Sequence, residues 1–235
     1  MIDNVAEFRI LHINVYERPM LLRLPFQFGD VVVNETTEAY LQVEIENGGK
    51  THTGYSAQAM IPRWFDKRLA LNSEQTVEEL RETLRKTATA AVGMQGFVAE
   101  ISAQVRELVY QLMPQNTPRL AAGFGPAMLE KALIDALCLA LGCNFFQGVR
   151  EDVFGLAKLC PNDLTPPVLS GHLQSVTEKY SMRIRHTVGY DAPLSRADII
   201  NNPNDGLPVS LEDVIDQTKV SAFKIKLKGN AQADI

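Results

Sequence analysis

The stretch Pro126–Gly142, PAMLEKALIDALCLALG, places apolar side chains at Leu129, Ala132, Leu133, Ala136, Leu137, Ala140 and Leu141. These intervals of three and four residues form one face of an α-helix, and Gly142 is suited to end it in the left-handed conformation. The same reading applies upstream. Thr76 and Glu79 have the spacing of a capping box, followed by a stripe at Val77, Leu80, Leu84, Ala88 and Ala91 that Gly93 would end. A second stripe uses Phe97, Val98, Ile101, Val105, Leu108, Val109 and Leu112, and Pro114 stops it by removing a backbone donor.

The residues before these helices read as strands. Phe8 to Val15, Val31 to Asn34 and Tyr40 to Glu46 are rich in β-branched and apolar residues that partly alternate. Asn47, Gly48 and Gly49 tolerate positive φ as a hairpin requires, and a strand from Lys50 to about Ala57 would follow. The connecting segments Tyr16 to Asp30 and Gly49 to Tyr55 are expected to be loops. Strands followed by helices give an α+β domain over residues 1–160. From Cys160 to Gly171 the chain turns to Pro161, Pro166, Pro167 and Gly171, which reads as a linker over 161–177. Over 178–235 the pattern restarts, with a strand at Met182 to Gly189, a short helix at Ser210 to Asp216 and a strand at Ala222 to Leu227. This is a βαβ unit, whose strands should run parallel.

Composition narrows the function classes. Of 235 residues, 46% are hydrophobic and 22% charged, which is ordinary for a globular chain. Asp and Glu number 28 against 23 Lys and Arg, so the net charge of -5 offers no basic footprint for nucleic acid. Asp3, Glu7, Arg9, Glu17 and Arg18 interrupt any apolar leader or membrane span near the start, so a cytoplasmic location is expected. Cys138, Cys143 and Cys160 are odd in number and lack CxxC spacing, which favours buried free thiols over a disulfide framework or zinc. His12, His172 and His186 are too scattered for a metal cluster, although His186 and Thr187 lie near the end of a strand. Trp64, beside Pro62 and Arg63, is expected to pack rather than stack on a ligand.

Three features carry a family resemblance. Glu130-Lys131-Ala132-Leu133-Ile134-Asp135-Ala136-Leu137, ending in Leu141-Gly142, resembles the capping-domain helix of the mandelate racemase and muconate lactonizing branch of the enolase superfamily. The hairpin Val43 to Gly54 resembles that family's capping domain, with Gly54-Tyr55-Ser56 where many members have Gly-x-Gly-Glu. Lys224-Ile225-Lys226 resembles the KxK motif ending the second barrel strand of the lactonizing subgroup. The resemblance implies an enolase-like capping domain followed by the first βαβ unit of a truncated (β/α)8 TIM barrel.

The lysine motif also has a physical rationale. Side chains two apart on a strand share a face, and two ammonium groups there disfavour one another's protonation, which suits one of them to act as a base. Without the resemblance, Lys224, Lys226 and Lys228 read as a solvated strand face. With it, Lys226 is the candidate base and Lys224 its tuning neighbour. The family uses Mg2+ to stabilise an enediolate formed from a small carboxylate substrate. The reaction could be that of an epimerase, racemase, cycloisomerase or dehydratase. Capping-domain loops would select the substrate, through Arg18 and Phe26 beside Leu24 and through His52 and Tyr55.

A complete barrel takes about 250 residues, so the chain is expected to be part of a longer enzyme. The family's metal-binding carboxylates and second catalytic lysine belong to later strands. No metal ligand is therefore assigned here, and the chain alone is expected to be inactive and without a Mg2+ site. A missing barrel segment or another chain would complete the sheet, and a homo-oligomer is expected. The alternative from a different class is a non-catalytic interaction or scaffold protein that retains the capping domain.

Overall fold

In the computed structural model, the structure describes residues 5–28, 31–190, 192–227 and 232. Two compact units are distinguished, one formed by residues 1–20 and 36–178 and the other by 21–35 and 179–235. Gly29, Asp30 and Lys228, which figure in the expected loop and lysine face, lie outside the described residues.

The first unit is a sheet covered by helices. Strands β1 (Phe8–Phe28) and β2 (Val31–Asn47), of which residues 21–35 belong to the second unit, and β3 (Lys50–Ala59) are joined by a short β4 (Gln95–Gly96) in the order β3-β2-β1-β4. Residues Tyr16 to Phe28 are therefore strand rather than loop, and so are Lys50 to Tyr55. The signal in the first segment is the alternation of exposed Leu21, Arg23 and Pro25 with half-buried Leu22, Leu24 and Phe26. A paired strand tolerates Pro where the ladder does not need its amide.

Helices α1 (Ser73–Ala91), α2 (Val98–Leu112), α3 (Arg119–Ala122) and α4 (Phe124–Leu141) follow. The capping box of α1 sits one turn earlier than expected. Asn72 Oδ1 accepts the Gln75 amide at 2.9 Å, and Gln75 Oε1 accepts the Asn72 amide at 2.8 Å. Thr76 is buried inside the helix, its hydroxyl donating to Ser73 O and accepting from the Arg63 amide. Val77, Leu80, Leu84 and Ala91 are buried as expected, with Thr83 and Thr87 beside them. In α2 the outer members of the expected stripe, Leu108 and Leu112, are exposed. Gly142 ends α4 at φ 65°, its amide donating to Leu139 O and the Cys143 amide to Cys138 O. The three thiols are free and half-buried rather than buried, and burial together with the neighbouring Cys143 pushes the Cys138 thiol up to about 11.

The sheet buries Ala39, Leu41, Val43 and Ile45 against Leu129, Ala132, Leu133, Ala136 and Leu137 of α4. The closest approach is at Gly54, where a Cβ would lie 2.3 Å from both Ala132 O and Ala136 N. Around this contact the Tyr55 amide donates to Asp135 Oδ2 at 2.8 Å and Ser56 Oγ donates to Met128 O at 2.8 Å. β3 is an edge strand, and Asp135 satisfies one of the amides that an edge leaves open. Below the helices, the buried Asp66 carboxylate is clamped by Arg68, which also pairs with Glu79. Burial would raise the Asp66 pKa, but hydrogen bonds from the Arg68 side chain and backbone hold it below the ordinary value.

The expected linker is structured. α5 (Phe145–Arg150) leads through a 3-10 turn at Leu156–Leu159 to α6 (Pro166–Ser175). Pro166 and Pro167 occupy the first helical positions, where a missing amide costs nothing.

The second unit holds β5 (Arg185–Val188), α7 (Leu211–Thr218) and β6 (Ala222–Ile225). The two strands pair in parallel, as a βαβ unit requires. The β1–β2 residues of this unit are tied to its loop by Arg23, whose Nε and Nη2 donate to Asp205 at 2.6 and 2.8 Å. The same guanidinium donates to Leu207 O and Pro208 O. Arg23, helped by the Leu207 amide, holds the Asp205 carboxyl at about 2, below its ordinary 3.8. A second arginine, Arg196, gathers Glu212, Asp213 and Asp216 around the first turns of α7. Among the described residues, no helix is long and apolar enough to cross a membrane.

Two outcomes follow from these contacts. Gly54→Ala forces a methyl against the α4 backbone and should lower the unfolding free energy by about 1–3 kcal/mol in urea titration; an unchanged midpoint would contradict the packing described. For Asp205 the folded pKa lies below the unfolded one, so the clamp's contribution is fully present above about pH 4. It should be lost as pH falls through about 2, which 13C-detected NMR titration of the Asp205 carboxyl would read as a midpoint near 2 in the native protein, moved up toward the ordinary 3.8 after Arg23→Gln, with the Leu207 amide still in place.

Candidate functional site

Strand β6 positions the two lysines. Its register with β5 sets Thr187 beside Lys224 and Val188 beside Ile225. The ladder continues past β6 through the Lys226 amide, which donates to Val188 O at 3.1 Å, and the Tyr190 hydroxyl donates to Leu227 O. α7 enters with Ser210, whose Oγ accepts the Asp213 amide at 3.1 Å, and leaves at Lys219 in the left-handed conformation. Because side chains alternate, Lys224 and Lys226 share one face with Thr187, and both are half-buried. His186, Val188, Phe223 and Ile225 share the other. His186 thus lies on the opposite face from the lysines. This small sheet is amphipathic, with a polar face built around two ammonium groups.

The four side chains expected on loops are on strands, and the structure divides them. Arg18 lies on β1, where its guanidinium pairs with Glu38 at 2.8 Å and sits 5.2 Å over the Tyr40 ring. The Tyr40 hydroxyl donates to Glu38, and with Arg18 it holds that carboxyl below the ordinary range. Tyr55 lies on β3 opposite Gln42, which donates to its hydroxyl at 3.1 Å. Gln42 Oε1 in turn accepts from Asn14 Nδ2 at 3.2 Å and from the Tyr16 hydroxyl at 3.4 Å. Tyr40 and Gln42 are two apart on β2, so Arg18 and Tyr55 belong to one polar band on the sheet face away from the helices.

His52 is not in that band. It registers with buried Ile45 and lies on the helix-covered face. Phe26 belongs to the second unit, 5.9 Å from the Phe28 ring. The reading of the sequence missed Asn14, Tyr16, Glu38, Tyr40 and Gln42. Strand alternation could have found them, since the even-numbered residues of β2 at 38, 40, 42 and 44 are polar or aromatic against an apolar odd-numbered set.

His12 and His172 are exposed, and Trp64, expected to pack, is 39% exposed. Among the described residues, no group of three or more His, Cys, Asp or Glu side chains could hold a metal ion.

No family model matches the chain, and no curated protein does. Solved structures do, and they are enolase-superfamily members, mainly mandelate racemase/muconate lactonizing enzymes. A muconate lactonizing enzyme from Pseudomonas fluorescens, complexed with muconolactone, matches 96% of this chain and 47% of its own with a TM-score of 0.54 and 13% identity. One from Mucobacterium Smegmatis, also with muconolactone, matches 95% of this chain and 45% of its own with a TM-score of 0.50 and 14% identity. An enolase from alpha pretobacterium bal199 with bound Mg is similar over 57% of this chain and 32% of its own, with a TM-score of 0.42 and 13% identity. The chain spans between a third and a half of these proteins' lengths. An antiparallel sheet covered by helices is thus the fold this chain shares with part of the muconate lactonizing enzymes of the enolase superfamily.

Proposed function

We propose that this chain is part of an enzyme of the mandelate racemase/muconate lactonizing type that removes the proton next to the carboxylate of a small organic acid. The observation that carries the reading is the pair Lys224 and Lys226, half-buried on one face at the end of a parallel strand. A fold shared with muconate lactonizing enzymes over nearly the whole chain supports it.

In this reading Lys226 Nζ takes the proton as the C–H bond breaks, and the electron pair moves into the carboxylate as an enediolate. Delivery of a proton to the opposite face of the same carbon, by an acid outside this chain, gives a racemase or epimerase; expulsion of a β-hydroxyl as water gives a dehydratase, and expulsion of a β-acyloxy group opens a lactone, the reverse direction of a cycloisomerase. Lys224, on the same face, supplies the neighbouring positive charge. Arg18 and Tyr55, in the polar band of the sheet, and Phe26 in the second unit are the side chains proposed to select the substrate. His52 is the weakest member of that set because it faces the helices.

The ion that the resemblance implies would polarise the substrate carboxylate, and in this reading the parent enzyme supplies its ligands from strands that follow this chain. Exposed apolar side chains support the presence of further structure over the second unit. Met182, Ile184, Ile225 and Leu227 are 85%, 80%, 67% and 58% exposed, a density that a covering element or a second copy would remove.

The test is solvent exchange. The longest natural protein carrying this chain, with Mg2+ added in D2O, is assayed by NMR for α-deuteration of mandelate and muconolactone. Exchange is expected, and Lys226→Ala should slow it by about 10²–10⁴-fold. Exchange at an unaltered rate in that variant would remove Lys226 from the role of base.

A further inference from the structure

A cavity of about 580 Å³ opens within the first unit, among α2, α3, α4 and the segment that carries Trp64. α2 contributes Ser102, Arg106 and Tyr110, which lie on one face at intervals of four. α3 contributes Arg119, whose guanidinium sits 5.4 Å over the Tyr110 ring. α4 contributes Lys131, whose ammonium donates to Gln58 at 3.3 Å. Trp64 and Phe65 add aromatic wall, and Phe65 is held edge-on to Phe124 at 5.1 Å. None of these cavity residues takes part in the proposed proton abstraction.

Two observations point to a ligand. The first is Ser102. It is only 5% exposed, yet its hydroxyl has no hydrogen-bond partner. Three buried hydroxyls lack a partner among the described residues, on Thr87, Ser102 and Thr117, and of these three residues only Ser102 lines the cavity. A buried hydroxyl without a partner carries a desolvation cost, which rotation about its χ1 toward a ligand oxygen in the cavity would relieve. The second is charge. Arg106, Arg119 and Lys131 line the cavity against a single acid, Glu130. Desolvation lowers the pKa of Lys131, so its cation also gains from an incoming anion.

We infer that this cavity is a binding site for a small organic carboxylate with a planar apolar body. The carboxylate would lie against Arg119 and Arg106, whose planar forks match its two oxygens, with the Ser102 hydroxyl donating to one of them. The planar body would lie along Trp64 and Phe65. The volume is within the range of small-ligand pockets, which combine apolar walls with a few polar groups. The anion thus meets two positive charges in excess, and a neutral isostere gains only the aromatic wall.

Trp64 is the chain's single tryptophan, so its fluorescence reports on this cavity alone. The 235-residue protein is titrated with benzoate, benzamide and phenyl phosphate, and titration calorimetry is run in parallel. Benzoate should give a saturable response with a Kd on the order of 1 mM, and benzamide should give none at the same concentrations. Ser102→Ala and Arg119→Gln should each weaken benzoate by about ten-fold. Ser102→Ala should also leave the thermal midpoint of the free protein unchanged or raised, because it deletes an unpaired buried hydroxyl. The inference is overturned if neither method detects saturable benzoate binding, or if benzamide binds as well as benzoate. It is also overturned if Ser102→Ala lowers the thermal midpoint and leaves benzoate affinity unchanged. Phenyl phosphate binding more tightly than benzoate would overturn the assignment to carboxylates.

Discussion

At Gly54 the backbone of α4 lies directly on a strand, with Ala132 O and Ala136 N each 2.3 Å from where a side chain would begin. No residue with a Cβ fits that spacing, so this single position sets how near the helical layer comes to the sheet. The alanines of α4 answer it from the other side, since small side chains are what permit such an approach. Asp135 and Ser56 then lock the contact with hydrogen bonds to and from backbone atoms. The quoted helix motif thus has a mechanical meaning in this protein: its alanines make room, and its aspartate takes up an open amide of an edge strand.

That packing leaves the two faces of the sheet with different characters. The helix-covered face is apolar along β2, with Ala39, Leu41, Val43 and Ile45 fully buried. The other face carries two linked polar groupings, one around Gln42 and one around Glu38. Arg18 and Tyr55 acquire their setting from this arrangement, each held by a neighbour on β2. Their separation from His52 is a matter of parity: three residues along a strand reverses the face.

The second unit uses arginine where the first uses apolar contact. Arg23 joins residues 182 positions apart through a bidentate pair with Asp205 and two backbone carbonyls. Arg196 gathers three acids of α7. Such pairs orient exposed segments more than they stabilise them, since solvent screens exposed charges. Within this frame the lysine strand is regular, and its alternation separates ammonium groups from Phe223 and Ile225.

Periodicity by itself determined the three long helices between Ser73 and Leu141, the β-rich start and the strand-helix-strand order after residue 180, because burial of one face imposes a repeat that the sequence must carry. It also placed Lys224 and Lys226 on one face, since that requires only strand alternation. Tertiary structure decided the rest. The segment Tyr16 to Phe28 is a strand because β2 pairs with it, and the proline-rich stretch near residue 166 is a helix because prolines are tolerated in its first turn. The salt bridge of Arg23, the amide held by Asp135 and the cavity around Ser102 join residues far apart in the chain, and a repeat along one element carries no information about which other element will face it.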